Sequence, residues 1–490
     1  MQEIPAEALT LWGSFAALLQ LLIVAAVTLR VMLTRHPPGS AFAWILLTAI
    51  LPYAGFVLYL LFGERPIGRI RARRLRKSLD MWAKIGRHRL TPHGPLPPRM
   101  VRHRTFIHQA THVGGMPLTS GSDVRLLGSS DEAFAAIAAE IDGAKRSVDL
   151  AFYIWESGGA VDAIESRLIA AARRGVKVRI LVDAFGSRAF LRSPQKTRLT
   201  AAGVRVASAM PLRFLWIFGL QRADIRLHRK VVVVDRRVGF TGSLNMIDPM
   251  EYDAAKTVGP WVDAMVRFEG PAVLSLQGLW DFDWALQPDG DASDFEYVYG
   301  TTEHPQTGRA DVVAVPSGPY ARQDQGLLLV LGAIGHAEYS LTIVSPYFVP
   351  NEAVVLALQN AVLRGVDVKL IVPHKTDSRF VSWAARRYFD DLLTAGVKIL
   401  YYEGGLLHTK SITVDDECAL FGSLNIDNRS MHLNFELTML IFEPGFVREL
   451  NALHARYEAS STPIDPNRWR ERPIKERLKE GASYLISPLL

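Results

Sequence analysis

Two short polar signatures, 180 residues apart, carry the side chains of this chain best suited to chemistry. His228-Arg-Lys230 is followed by four residues, Asp235, six more residues and then Gly242-Ser243-Leu-Asn245. His408-Thr-Lys410 repeats the pattern with the same spacing, through Asp415 to Gly422-Ser423-Leu-Asn425. A single His-x-Lys says little, but the whole pattern occurring twice is hard to obtain by chance. Residues two apart on a strand point the same way, so the His and Lys of each signature are expected to face one pocket. The Asp falls near the strand end, better placed to tie strand to turn than to touch a substrate. Gly-Ser-x-Asn then returns with the Asn beside the His/Lys pair, Gly allowing close approach. Brought together, the two signatures supply two imidazoles, two ammoniums and two amides. That set suits a phosphodiester. Lys and Asn would stabilise charge on the equatorial oxygens, one His would attack phosphorus, and the other would protonate the leaving alkoxide. The lysines supply the positive charge, so the chemistry needs no metal and no cofactor; no CxxC or HExxH pattern occurs.

An internal repeat positions these residues. Ser147-VDLAFYIW, a helical stretch and Arg174-GVKVRILV in the first half match Ser340-LTIVSPYF, a helical stretch and Arg364-GVDVKLIV in the second. Ala202-GVRV pairs likewise with Ala395-GVKI. Each half reads strand, helix, strand, helix, strand, with helices over 162–173 and 352–363 whose apolar residues recur at 3–4 spacing. The pattern predicts an α/β fold: a largely parallel, doubly covered sheet in each half, the halves packed about a pseudo-two-fold with one shared site. The first half is expected over 116–310 and the second over 311–490. Tyr153, Trp155 and Tyr347, at the ends of the first strands, are candidates to line the pocket.

The N-terminal part has another character. Residues 9–29 and 41–62 are free of charge and each long enough, as a helix, to cross roughly 30 Å of hydrocarbon. Two transmembrane helices within 1–62 are expected, Pro52 in the second being tolerable in a membrane helix. A basic juxtamembrane segment and linker follow over 63–115. Between Gly63 and Arg104, thirteen Lys/Arg face only Glu64 and Asp80, a net of +11 in a chain whose whole charge is +7. The remainder is mildly acidic, which argues against a nucleic-acid groove. Seven of these basic residues lie between Arg65 and Lys77, so everything after Phe62 is expected on the cytoplasmic side, with 65–104 on the anionic inner leaflet. The apolar run 211–220, with Phe214, Trp216 and Phe218, is either a buried element or one that dips into the leaflet beside the site. Cys418 is the sole cysteine, so no intrachain disulfide forms; its apolar surroundings read as a buried small hydrophobe.

The duplicated H-x-K-x4-D-x6-G-S-x-N pattern resembles the phospholipase D superfamily. Residues 41–63, TGSLNMIDP (241–249), GLLHTKSITVD (405–415), NIDNRSMHLNFE (425–436) and the terminal SPLL extend the resemblance to the bacterial cardiolipin synthases within it. The resemblance implies an inner-membrane phosphatidyltransferase that joins two phosphatidylglycerol molecules into cardiolipin and releases glycerol. It implies His228 as the nucleophile, forming a phosphatidyl-histidine, and His408 as general acid and then base; identical spacing leaves the exchange of these roles open. Lys230, Lys410, Asn245 and Asn425 would bind phosphate, with Ser243 and Ser423 in support. The family's acidic residue that orients each histidine is matched by Glu436 for His408 and by Asp263 for His228. Arg429-Ser430 has no counterpart in the first half. A hydrolytic phospholipase D, a transphosphatidylase using phosphatidylethanolamine, and a catalytically dead lipid-binding scaffold are the competing readings; the last is disfavoured because no signature residue is lost.

Overall fold

The computed structural model describes residues 6–34, 36, 38–64, 96, 98–211, 222, 224–252, 255–287, 305–319 and 324–485. The chain forms two compact units, Met1–Arg73 with Leu212–Ile225, and Arg74–Pro211 with Arg226–Leu490. Most of the basic segment, residues 212–220 of the apolar run and the terminal SPLL lie outside the described residues.

In the first unit, helix α1 (Ala6–Leu33) is apolar and long enough to cross a membrane. The expected second span is not one helix. It divides into α2 (Pro38–Ile50) and α3 (Pro52–Leu58), the latter running into a π turn over Tyr59–Gly63. The break falls at Leu51, whose backbone leaves the helical region (φ −126°, ψ 72°) ahead of Pro52. Proline disfavours helical geometry in the residue before it and lacks the N–H that would continue the ladder. At 1.5 Å per residue, neither limb exceeds about 20 Å, short of the roughly 30 Å hydrocarbon core.

The second unit holds a sheet of fifteen strands. The first half contributes β1 (Leu118–Leu127), β2 (Ser147–Phe152), β3 (Lys177–Asp183), β4 (Arg205–Ala209), β5 (Val231–Val234), β6 (Val238–Gly242) and β7 (Met265–Glu269). The second half repeats them as β8 (Ala310–Ser317), β9 (Ser340–Val344), β10 (Asp367–Pro373), β11 (Lys398–Tyr402), β12 (Ser411–Val414), β13 (Cys418–Gly422) and β14 (Glu436–Phe442); β15 (Ser461–Pro463) caps the far edge. The order β4-β3-β2-β5-β6-β7-β1 meets β8-β14-β13-β12-β9-β10-β11-β15 at an antiparallel β1–β8 pair, with Leu118 opposite Val313. The two halves are thus related by a two-fold between β1 and β8.

The expectation of a largely parallel sheet holds only in part. β2-β3-β4 and β9-β10-β11 pair parallel, because a crossover helix joins their successive strands. The signature strands are antiparallel hairpins, β5–β6 and β12–β13. Each hairpin closes through a three-residue loop, Asp235-Arg236-Arg237 and Asp415-Asp416-Glu417, whose first two residues all lie at φ between 51° and 57°, in the left-handed region that Asp enters more readily than most residues. The helices over Gly159–Arg173 and Glu352–Leu363 bury Val161, Ile164, Leu168 and Ala171, and Val354, Val355, Leu358 and Ala361, the 3–4 spacing seen in the sequence.

Arg229, fully buried between His228 and Lys230, faces away from the site and fastens the halves together. Its Nη1 lies 2.5 and 2.7 Å from the Asp283 oxygens, Nε donates to the Glu436 carbonyl (2.9 Å) and Nη2 to the Ser317 carbonyl (3.1 Å). Removing one partner of a buried ion pair leaves the other charge uncompensated, a loss of about 3–5 kcal/mol. Asp283→Ala is therefore expected to lower the thermal unfolding midpoint in detergent by several degrees. An unchanged midpoint would show that the pair does not hold the body together.

Candidate active site

The residue pairs that bring the signatures together are backbone contacts between halves. Trp261–Val262 pairs parallel with Leu406–Leu407, and Leu227 bridges Phe435 in the same sense. The His228 N–H donates to the Phe435 carbonyl and the His408 N–H to the Val262 carbonyl, both at 2.9 Å. Each histidine backbone is thus hydrogen-bonded to the residue just before the acidic group of the opposite half. The glycines of the signatures permit this density: a Cβ on Gly422 would sit 2.1 Å from the Leu437 carbonyl oxygen, and one on Gly242 2.5 Å from that of Ala264.

The expected pairing of acids with histidines is therefore exchanged. Glu436, matched above to His408, lies with its carboxylate 2.9 Å from His228 Nδ1. Asp263, matched to His228, lies 2.7 Å from His408 Nδ1. The reason is geometric: each acid follows the backbone segment that pairs with the other half's histidine. Ser423 Oγ donates to Glu436 and Ser243 Oγ to Asp263, both at 2.5 Å, completing two crossed relays of Ser, carboxylate and imidazole. Within each relay the serine and acid come from one half and the histidine from the other.

His228 and His408 line one cavity of about 460 Å³, with Asn245, Asn425, Arg226, Arg429, Tyr252 and Asp377 among its other walls. With Nδ1 of each ring held by a carboxylate, Nε2 is the nitrogen left for substrate. Tyr153 and Tyr347 line the cavity as expected. Trp155 does not: it is 1 % exposed in the core and its indole N–H donates to Glu165. Successive strand residues point to opposite faces, but Tyr153 and Trp155 follow the end of β2, where that alternation no longer applies. Trp261 stacks on His408 (4.6 Å between centroids, 16° between planes), whereas Tyr153 meets His228 edge-on (5.0 Å, 61°).

Asp235 and Asp415, the aspartates of the two signatures, are not among the cavity's walls. Asp235 accepts from the backbone N–H groups of Lys145, Arg146 and Ser147 at 2.6–2.9 Å, and Asp415 from those of Glu338, Tyr339 and Ser340 at 2.7 Å. Each ties its hairpin turn to the start of β2 or β9, the tying role that their position at the strand end suggested. Arg229 and Asp283 are contributions that the pattern did not reveal; a charged residue between His228 and Lys230, where Thr409 stands in the second half, was the available signal.

Burial sets the charge states. It is the main cause that pushes His228 down to about 4, against the pull of Glu436, and it lowers His408 likewise against Asp263. Both rings are therefore neutral at pH 7. Burial also lowers Lys230 to about 8 and Lys410 to about 7; their Nζ atoms donate to the carbonyls of His228 and His408 (2.7 and 2.6 Å). For Glu436 and Asp263 burial acts upward, but the facing histidine, lysine and serine outweigh it and both carboxyls lie below their ordinary values. Among the described residues no cluster of His, Cys, Asp and Glu has the arrangement of a metal site.

Two outcomes follow from this arrangement. Glu436→Gln keeps the shape but removes the charge facing His228, so kcat should fall about 10²–10⁴-fold with KM little altered; a change confined to KM would place Glu436 in substrate binding instead. The lysine charges are present below their pKa values and are lost above them. With Lys410 near 7 and Lys230 near 8, kcat/KM should fall as pH rises from 7 to 9. A flat profile to pH 10 would show that these charges do not govern productive binding.

A family described as "Cardiolipin synthase, PLD-like domain" matches residues 137–250 and again 330–457, one match on each half, and a "Phospholipase D-nuclease N-terminal" family matches 21–64. Cardiolipin synthase A of Klebsiella pneumoniae (strain 342) is 38% identical over 485 residues, covering 96% of both chains. The protein of the same name from Edwardsiella ictaluri is 37% identical over 483 residues, again with 96% of both covered. Phosphatidylserine synthase of Haemophilus influenzae shares the fold, with a TM-score of 0.55 at 13% identity over 79% of this chain and 100% of that one.

Proposed function

The chain belongs to the cardiolipin synthase family of duplicated phospholipase D-like proteins, and from that premise we propose that it makes cardiolipin from two phosphatidylglycerol molecules at the inner face of a bacterial inner membrane. The observation that carries the reading is one cavity lined by two histidines, each held at Nδ1 by a carboxylate from the opposite half. In this reading a phosphatidylglycerol phosphate enters between the two Nε2 atoms. His228 Nε2 forms the bond to phosphorus; the bond to the glycerol headgroup oxygen breaks, and His408 supplies the proton on which glycerol leaves. A hydroxyl of the second phosphatidylglycerol then gives its proton to His408 and attacks phosphorus, and the His228–phosphorus bond breaks. The second step is the first run backward with a different alcohol, so the same two groups serve both.

His228 is favoured as nucleophile because it is the more exposed of the two rings (8 % against 3 %), and its neutral form is secured by its low pKa. A phosphodiester monoanion in the cavity raises the pKa of every neighbouring base, which restores charge to Lys230 and Lys410 and gives His408 the proton it donates. Lys230, Lys410, Asn245 and Asn425 steady the equatorial oxygens, and the crossed carboxylates stabilise the imidazolium that forms at each stage. The membrane provides the substrate: α1 is an apolar helix of crossing length, and the basic run 65–104 suits an anionic leaflet. The catalytic body is cytoplasmic in this reading, in accord with the excess of Lys and Arg after residue 64.

Purified protein incubated with headgroup-labelled phosphatidylglycerol in mixed micelles should release labelled glycerol and form cardiolipin in equal amounts. Phosphatidic acid as the sole lipid product would mean hydrolysis, and turnover only with added phosphatidylethanolamine would change the donor. His228→Ala and His408→Ala should each abolish turnover while leaving the unfolding midpoint in place. With phosphatidylglycerol labelled at phosphorus instead, acid-labile label trapped by rapid quenching should map to residue 228; label at residue 408 would exchange the two roles.

A further inference from the structure

Two ion-pair bonds in the N-terminal unit fix where the second apolar segment ends. Arg30, in the last turn of α1, donates from Nε and Nη2 to the Glu64 carboxylate at 2.6 and 2.8 Å. Tyr59 donates to the same carboxylate at 3.0 Å, and its ring packs edge-on against Trp44. Val27 and Val31 of α1 form one apolar cluster with Tyr59, against which Ala41, Trp44, Ile45 and Phe56 pack. The start of α2 and the end of the π turn therefore both lie beside the last turns of α1. A straight helix over 38–63 would instead carry Glu64 about 39 Å away, to the level of the opposite end of α1. The bend at Leu51-Pro52 is sharp enough that a Cβ on Gly55 would sit 2.7 Å from Thr48 Cα, so the two limbs touch. The side chains around the apex, Ile50, Leu51 and Tyr53, are more than half exposed, as are Phe42 and Leu46 on the outer face of α2.

We infer that α2 and α3 form a re-entrant wedge that enters and leaves one leaflet, its partner being the acyl chains of that leaflet, and that α1 is the single crossing of the N-terminal unit. The inference rests on the membrane reading above. A limb of about 20 Å reaches past the middle of a roughly 30 Å core without crossing it. Helical hydrogen bonding continues on both sides of the bend, with Leu51 N–H donating to the Leu47 carbonyl and Gly55 N–H to the Leu51 carbonyl, so the backbone leaves few polar groups for the hydrocarbon. Charge selects this arrangement over two spans. With one crossing, Arg30, Arg35 and the seven basic residues from Arg65 to Lys77 all fall on one side, and the charged side chains at the other end of α1 are Glu3 before it and Glu7 in its first turn. A straight two-span hairpin would strand Arg30 and Arg35 on the side that positive residues avoid. The Ala6 end of α1 then faces away from the cytoplasm, opposite the side on which the chain continues after Glu64.

Single-cysteine labelling reads this directly, because Cys418 is the sole native cysteine and is buried. In a Cys418→Ala background, Gln2→Cys and Gly39→Cys are each treated with a membrane-impermeant maleimide in inside-out and right-side-out vesicles. Gly39 is exposed at the start of α2 with open space around it. Gly39→Cys is expected to label only in inside-out vesicles, the same ones in which protease removes a C-terminal epitope, and Gln2→Cys only in right-side-out vesicles. Labelling of Gly39→Cys from the right-side-out face, with Gln2→Cys from the other, would overturn the wedge while leaving the membrane reading intact. Recovery of the protein in the soluble fraction without detergent would overturn both.

Discussion

The carboxylates of Glu436 and Asp263 stand within 3 Å of the Nδ1 atoms of His228 and His408 across the boundary between the two halves, and the design of the body follows from keeping them there. A carboxylate of one half alone would face no imidazole, and an imidazole of one half alone would have no fixed tautomer. The short parallel pairings at Leu406–Leu407 and at Leu227 would be pointless as sheet, being two residues and one bridge long, but they set each histidine beside the residue that precedes the opposing acid. The β1–β8 pair and the grip of Arg229 on Glu436, Ser317 and Asp283 then oppose any sliding of one half past the other. A shift of about 1 Å would break both relays at once.

The same closeness explains the electrostatics. Two buried ammoniums and two buried carboxylates balance one another, so the imidazoles are left neutral and burial governs them. The lysines sit near the edge of deprotonation, each with Nζ on the carbonyl of its own histidine, and in the proposed reaction a phosphate anion would make their full charge favourable. A metal ion would do similar work with a larger charge, but it would compete with the histidines for the same nitrogens.

The chemistry of the site was legible because it is written in short range. The spacing from His to Asn, and the strand–helix–strand repeat around it, are local patterns of period two and three to four, and both halves folded accordingly. What escaped depends on contacts between residues far apart in the chain. Glu436 and His228 are separated by 208 positions and Asp263 and His408 by 145; nothing in either segment says that each acid serves the other half. The parallel character of the sheet was overextended for a related reason. The Val-rich run of β5 looks like a buried parallel strand, and only the Asp235-Arg236 turn, with both residues at positive φ, reveals the hairpin. In the N-terminal unit, uninterrupted apolar composition concealed a break that one proline makes. Composition reports that a segment avoids water, whereas Pro52 and the Arg30–Glu64 pair decide its path.

Around the two rings themselves the symmetry is broken in their aromatic neighbours. The relays, the lysines and the turn-tying aspartates match across the two-fold, yet Trp261 lies flat on His408 while Tyr153 presents its edge to His228. On the second-half side, Asp427 caps the short helix Asn428–His432 by accepting from the Ser430 N–H, and this helix brings Arg429 to the cavity wall. A reaction whose second step reverses its first asks for matched acid–base machinery on both sides of phosphorus, since each ring faces the same transition state twice. It asks for a difference in one respect alone: which nitrogen holds the intermediate while one alcohol leaves and the next arrives. A stacked ring and an edge-contacted ring, each supported by a carboxylate from the opposite half, differ in freedom of approach. The duplicated fold thus supplies the equality that reversibility requires, and the aromatic neighbours supply the inequality.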